Sequence, residues 1–356
     1  MNTPRRLYVV AINLLNRPER RKRVIALFAQ LQQACSGVFR LQTSILEACD
    51  GVTQSMADLN LRYGVVPYSG WVLPESDPES KRLPSWRVPQ ISGGIASSLS
   101  HLDAMNLALD QGWLEPQSPG EPQPILLIAE DDISVFAPTA RIFLEQLRDN
   151  LDEADRLASW DMLLFGASEP RSDICPPRPL SENLEFSGFS YLTTLDAVTR
   201  SGALKYRQAR SKIMANCIVF DELHNTMAGL TFAARPDLER VFGGCTPRVM
   251  MLTARKNLAR QEPKDCVHDT EVSAGDRAGR SAWALPLNTQ SRTIQGSEPL
   301  HAYRVAVPDR CEVVWWRRAG GLLREDLEIS IIGKQEAPAP KQRVSFGFLA
   351  DQFAGL

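Results

Sequence analysis

The sequence contains no Cys-x-x-Cys pair. Its seven cysteines (Cys35, Cys49, Cys175, Cys217, Cys245, Cys266 and Cys311) are scattered and odd in number. Neither a cysteine zinc site nor a disulfide framework is indicated, and a reducing cytoplasm suits such a chain. No stretch approaches the roughly 20 apolar residues of a membrane span. The run Leu7 to Ile12 after Arg5 and Arg6 is too short for a signal peptide. Asparagines and an arginine cluster follow it instead of a small-residue cleavage site. Charge of one sign is also missing. A formal net charge of −2 gives no electrostatic case for a nucleic-acid partner. No internal repeat is present. What remains is 356 residues of ordinary soluble composition, 44% hydrophobic and 23% charged, enough for one large domain or two.

The most informative stretch is Pro124-Ile125-Leu126-Leu127-Ile128-Ala129-Glu130-Asp131-Asp132. An unbroken apolar run of this kind suits a strand buried on both faces, the habit of parallel sheets. It stops at three carboxylates. Open α/β sheets bind ligands beyond the carboxyl ends of their strands, so the acids are expected at a crevice. Three adjacent acids repel one another, and a fold that gathers them needs a compensating charge. In an extended chain Glu130 and Asp132 point to one side and Asp131 to the other. Two acids on one side suit a hard divalent cation, Mn²⁺ or Mg²⁺, which could hold a diphosphate. The plainer reading is that Asp131 and Asp132 only cap and solvate a loop.

The rest of the chain supports an α/β architecture. Leu7 to Ile12 reads as a first buried strand, with Asn13 to Asn16 a turn and Asn16 the expected N-cap. A helix follows with Pro18 in its first turn and Val24, Leu27, Phe28 and Leu31 on one face. Arg17, Arg20, Arg21, Lys22 and Arg23 crowd its start. Cations there oppose the helix dipole unless an anion docks among them, as phosphates do at helix N-termini. Phe39 to Leu41 and Ser44 to Ala48 read as extended, closed by the Asp50-Gly51 turn. Asp50 stands at a strand end, where a carboxylate can meet a ribose or a base. Residues 65 to 90 form a Pro- and Trp-rich loop in which Trp71 and Trp86 are candidates to stack on a sugar or base. A helix opens at Ser92 and carries Ile95, Leu99, Leu102 and Met105 on one face, with Ser100 and His101 inside it. Pro138 to Leu151 is read as helix, Trp160 to Gly166 as strand, Phe186 to Thr194 as extended, Asp196 to Ala209 as helix, and Leu230 to Pro236 as a last strand. From 251 to 300 the chain is polar, and from 301 to 356 it turns β-rich. The expected division is therefore a domain over 1–250, a polar segment over 251–300 and a small C-terminal β-rich appendage over 301–356.

Four segments together resemble glycosyltransferase family 25, which includes lipooligosaccharide and collagen β-galactosyltransferases. They are Val10-Ala11-Ile12-Asn13-Leu14 with Arg17, Arg20 and Arg21; Glu47-Ala48-Cys49-Asp50-Gly51; Gly94 through Leu99-Ser100-His101; and Ile128-Ala129-Glu130-Asp131-Asp132. Weaker echoes are Trp160-Asp161-Met162, Ser190-Tyr191-Leu192 and Phe220-Asp221-Glu222-Leu223. The likeness spans roughly residues 5 to 240. It implies a GT-A fold, a Rossmann-like mostly parallel sheet with helices on both faces. It also implies inverting transfer of galactose or glucose from a UDP-sugar to a hydroxyl of a glycan or glycolipid, as in lipopolysaccharide biosynthesis. Donor binding would fall to Asn13, Leu14, Arg17, Arg20, Asp50, Ser100, His101, Glu130 and Asp131. The metal would fall to Glu130 and Asp132, and the base to Asp221 or Asp161. A sugar nucleotide suits the cytoplasm, with a lipid-linked acceptor drawing the protein to the membrane face. The chain departs from the family at Gly94-Ile95-Ala96-Ser97, where a carboxylate is usual. Two other readings compete: a metal-dependent phosphohydrolase using the same acids, and a glycan-binding relative that has lost the chemistry.

Overall fold

A computed structural model describes residues 3–51, 53–71, 91–244, 248–261, 292–293, 299–306 and 312–318. The expectations for the Trp71 and Trp86 side chains, and for most of the polar segment 251–300 and of the β-rich part 301–356, fall outside these residues.

The acidic strand is where the sequence puts it. β1 (Arg5–Asn13), β2 (Phe39–Glu47) and β3 (Ile125–Glu130) form a parallel core, with β1 between the other two. Alternate residues of β3 serve two hydrophobic layers, which is why its apolar run has no gaps. Leu126 and Ile128 join one layer, and Ile125, Leu127 and Ala129 join the other. α1 (Pro18–Ala34) covers the second face with Val24, Ile25, Phe28 and Leu31. α4 (Ala140–Leu157) joins it, started by the Thr139 hydroxyl, which accepts from the Ile142 N–H at 3.2 Å. α3 (Ile91–Asp110) covers the first face, burying Ile95, Leu99, Leu102 and Met105. α2 (Met56–Tyr63), opened by a Ser55–Asp58 capping box, packs on the same face as α3, with Leu59 and Tyr63 in that layer. The rest of the chain supplies β4 (Ile133–Val135), β5 (Met162–Leu164), β6 (Arg178–Pro179), β7 (Leu184–Phe186), β8 (Leu195–Val198), β9 (Met251–Ala254), β10 (Ala259–Gln261), β11 (Arg292–Thr293), β12 (Pro299–Ala306) and β13 (Glu312–Arg317). α5 (Arg200–Ala215), α6 (Phe220–Met227) and α7 (Pro236–Phe242) complete the α-helices of the described residues, beside a short 3₁₀ turn at Ser69–Trp71. The main sheet runs β11-β12-β13-β2-β1-β3-β8-β5-β9-β7-β6. β8 is antiparallel to both β3 and β5. This is the α/β, Rossmann-like architecture that the resemblance implies.

Several local expectations are corrected. The N-cap of α1 is Arg17, not Asn16, and no side chain caps it. Pro18 has no N–H of its own to be satisfied. The segment read as helix from Asp196 begins as β8, and α5 starts only at Arg200, behind the Thr199 N-cap. Leu230 to Arg235 is not a strand. Its backbone closes helical turns, Ala234 and Arg235 N–H both reaching the Thr231 carbonyl at 3.0 and 2.8 Å, after Gly229 at φ 78°. Of Phe186 to Thr194 only Phe186 is strand; Leu192 has φ 68°. At the C-terminal end, β13 lies parallel beside β2 and β12 antiparallel to β13. The β structure described after residue 298 thus extends the main sheet, and β9 brings residues 251–254 into it too.

Candidate functional site

The crevice lies beyond the carboxyl ends of β1, β2 and β3, where Asn13 is level with Glu47 and Ile12 with Glu130. Its volume is about 230 Å³, and Leu14, Arg20, Cys49, Ser100, His101, Glu130, Asp131, Asp132 and Gln261 are among its lining. The compensating charge that the three acids require is Arg20, from the first turn of α1. Its guanidinium donates to Asp131 Oδ1 at 2.8 Å and to Asp132 Oδ2 at 3.2 Å. Asn13 Nδ2 donates to the other Asp131 oxygen at 2.7 Å. Gln261, from the β10–β4 ribbon, donates to Asp132 Oδ2 at 3.1 Å. Asp131 is thus held at both oxygens and Asp132 at one. Asp132 Oδ1 is buried and takes no hydrogen bond among the described residues. The Glu130 carboxylate takes none either and faces His101 Nε2 at 3.8 Å.

The electrostatics follow from this crowding. Burial and then the Asp221 and Asp131 carboxylates push the Glu130 carboxyl up to about 8. Glu130 is a quarter exposed, but its carboxyl lies in a crevice walled by other acids. Burial, and next the Glu130 charge, raise Asp132 to about 6, against the pull of Arg20. His101 is enclosed and stacked on Phe220 at 4.1 Å; burial lowers it to about 4, so it is a neutral imidazole at pH 7. His224, on α6, is lowered to about 4 by the same cause. Behind this layer lies Asp196 of β8, wholly buried, with neither oxygen hydrogen-bonded among the described residues. Burial, with Glu130 and Asp221 nearby, raises it well above the usual carboxylate range.

Asp221 stands at the start of α6. Its carboxylate accepts from the Leu192 N–H and the Thr193 hydroxyl, both at 3.2 Å. It therefore clamps the one non-glycine residue with positive φ among the described residues. Strained backbone of this kind collects at functional sites. Asp221 is close enough to raise Glu130 but is not itself part of the crevice lining; Asp161, the other candidate base, is far from the crevice. It precedes β5 at the opposite end of the sheet, level with the start of β3. There it is buried against the Lys205 ammonium and the Met250 N–H, which fix the approach to β9. Asp50 flanks the crevice, but both its oxygens accept from Thr53. Gly51 beside it permits the contact with α3, because a Cβ there would run into the Ser92 carbonyl. The Ser100 hydroxyl is a clamp as well as a wall, accepting from the Cys49 N–H and donating to the Ala96 carbonyl, both at 2.8 Å. Leu14 lines the crevice. The Arg17 carbonyl receives the Asn13 amide at 3.3 Å, whereas its side chain is not part of the lining. Cys49, Asp196 and Gln261 were not singled out from the sequence.

Among the described residues no group of three or more His, Cys, Asp and Glu side chains could hold a metal ion by itself. A two-carboxylate set would be Glu130, and Asp132 with its unpartnered Oδ1. Mg²⁺-type ions are often held by one or two carboxylates, with substrate phosphates and water filling the shell. The residues fit such an ion only together with a bound diphosphate.

The α/β sheet flanked by helices, with parallel β1, β2 and β3 at its centre, is consistent with a Rossmann-like GT-A fold. Two curated relatives, each named "Glycosyltransferase 25 family member", match the chain. The one from Aedes aegypti is 29% identical over 199 residues, 56% of this chain and 27% of its own length. The one from Drosophila melanogaster is 27% identical over 202 residues, 57% of this chain and 28% of its own. The chain spans about a quarter of the length of these relatives. No family model matches it. By these relatives, the chain is related to glycosyltransferase family 25.

Proposed function

We propose that this chain transfers a hexose, galactose or glucose, from a UDP-sugar to a hydroxyl of a glycan or glycolipid, with inversion and with a divalent cation. The observation that carries the reading is that Arg20, bonded to Asp131 and Asp132, lies beside the unpartnered Asp132 Oδ1 at one sheet edge. Cation and anion sites side by side suit a metal-bridged diphosphate; the relatives' family name supplies the sugar. Glu130 and Asp132 would hold the Mn²⁺ or Mg²⁺, which when bound neutralises charge on the departing nucleotide. Arg20, released from the acids, binds diphosphate oxygens and stabilises the same charge. Leu14, Ser100 and His101 wall the donor pocket. Asp221 is the base: it takes the proton of the acceptor hydroxyl as that oxygen bonds to the anomeric carbon. The opposite C–O bond breaks, and UDP leaves with the electron pair. His101, kept neutral by burial, can hydrogen-bond Glu130 without competing for the cation.

No helix among the described residues is long and apolar enough to cross a membrane. The reading places the protein in the cytoplasm, with a lipid-linked acceptor bringing it to the membrane face. The test is a thermal-shift screen of UDP, GDP and CMP sugars with and without Mn²⁺, followed by product analysis with glycan acceptors. A shift with a UDP-sugar that needs Mn²⁺, and a new glycosidic product, are expected. Rapid sugar release with no acceptor dependence would instead mark a phosphohydrolase.

A further inference from the structure

We propose that β13 braces the crevice from behind, with Trp315 a positioning residue that acts on Asp131 through Arg21 and Asn13. β13 enters the sheet beside β2, with Trp315 level with Ile45. Trp315 is 1% exposed and belongs to the layer that α1 covers. The Arg21 guanidinium, itself 1% exposed, lies 4.4 Å above the Trp315 ring, and Arg317 lies 5.2 Å from the same ring. A guanidinium over an indole face is attracted by the ring quadrupole, more strongly when desolvated. The Arg317 charge is met by Glu47, Nε to Oε2 at 2.9 Å. Burial, then Arg317, lowers Arg21 to about 9; the ring and its acceptors hold the group where it is.

Chemistry then fixes the next two links. Arg21 donates to Asn13 Oδ1 at 3.1 Å and to the Leu15 carbonyl at 3.3 Å. A guanidinium has only donors. The oxygen of the Asn13 amide must therefore face Arg21, and its NH₂ must face the other way. There the amide meets Asp131 Oδ2 at 2.7 Å. A flipped amide would set donor against donor at Arg21 and oxygen against oxygen at Asp131. Held by Asn13 on one oxygen, Asp131 offers the other to Arg20. A strand from the C-terminal part of the chain thus sets the orientation of an acid at the end of β3.

Two readouts test this, and only the second rests on the proposed function. The first is a double-mutant cycle on urea-unfolding midpoints, using Trp315→Leu, Asn13→Ala and the double variant. If the relay exists, Asn13→Ala lowers the midpoint less in the Trp315→Leu background than in the wild type, and Trp315→Phe, which keeps a ring, restores the coupling. Trp315→Met, which loses the ring but keeps more of the volume, takes the place of Trp315→Leu if that variant does not fold. Additive midpoints overturn the relay whatever ligand the crevice takes. The second is calorimetry of UDP with Mn²⁺. Folded Trp315→Leu should bind about tenfold more weakly, the usual size of an outer-shell loss, and Trp315→Phe nearly as the wild type. Unchanged affinity in Trp315→Leu overturns the relay. Non-additive midpoints with no UDP binding by the wild type support the relay and overturn the proposed function.

Discussion

Arg20 is in the wrong place for a surface cation and the right place for a stand-in. It holds Asp131 and Asp132 together where a divalent ion would also seek a ligand. Arg20→Gln should therefore tighten Mn²⁺ binding in the absence of nucleotide, because a competing cation is removed, and weaken UDP binding, because a phosphate ligand is removed. Electron paramagnetic resonance of free Mn²⁺ and calorimetry of UDP give the two signs; both weakening together would mean that Arg20 only braces the acids. Asp196 is a second oddity at this scale. A buried carboxyl without partners is costly, so Asp196→Val, which suits a strand, should raise stability by about 1–3 kcal/mol in urea unfolding. The three crevice acids and Arg20 were legible because their neighbours in sequence announce them: an apolar run that stops dead, and cations crowded at a helix start. Asp196 was not, because Leu195–Val198 is too short to show a period of its own and merges with the helix after Thr199.

At the scale of elements, the clamp between α6 and the segment before β8 is the feature most open to test. Asp221 accepts from Leu192 and Thr193, and the Asn225 amide donates to the Ser190 carbonyl at 2.7 Å. Leu192 is thereby kept at φ 68°, a conformation that L-residues with branched Cβ scarcely adopt. Leu192→Val should cost about 1–2 kcal/mol of stability, whereas Leu192→Gly should cost less despite losing the side chain. Paired thermal melts decide the order, and a Val variant as stable as Gly would contradict the clamp. The sequence reading of this region as a strand missed it, since an irregular segment rich in Ser, Tyr and Thr has strand-like composition. The failed strand at Leu230 has a related cause: its apolar residues face the core from a turn, with no partner strand to pair with. The position of Asp161 was not legible because a strand can carry an acid at either end. Only the direction of β5 in the sheet shows that Asp161 lies at the far end from the crevice.

At the scale of the whole molecule, the crevice is assembled from distant parts: β1 and α1, the end of β3, α3, the β10 strand with Gln261, and β13 behind them. That β1 and β3 are buried strands was legible in the hydrophobic pattern, because both are buried along almost their whole length; the order β2-β1-β3 was not, and β2 exposes Arg40 and Gln42. Nor was the joining of β13 to β2, because strand neighbours across more than 260 residues leave no local trace. Gathering acids also has a consequence for pH. Glu130 is raised to about 8 in the fold, so its contribution to stability is present at low pH and is lost as pH rises through 8. His101 and His224, lowered to about 4, contribute in the opposite sense, losing stability only as pH falls below the ordinary histidine range near 6.5. Asp196, raised by burial as well, acts in the same sense as Glu130. Between about pH 6.5 and 8 the metal-free protein should thus become less stable as pH rises, and Glu130→Gln should reduce that slope.

The most direct measurement of the central claim is calorimetric titration of UDP into the wild type and into Asp132→Asn, each with Mn²⁺ and with chelator. Asp132 contributes an unpartnered oxygen to the crevice and little to the core. The account predicts binding by the wild type that depends on Mn²⁺, and loss of that dependence in a variant that melts close to the wild type. UDP binding of equal strength in all four titrations, or in none, would contradict it.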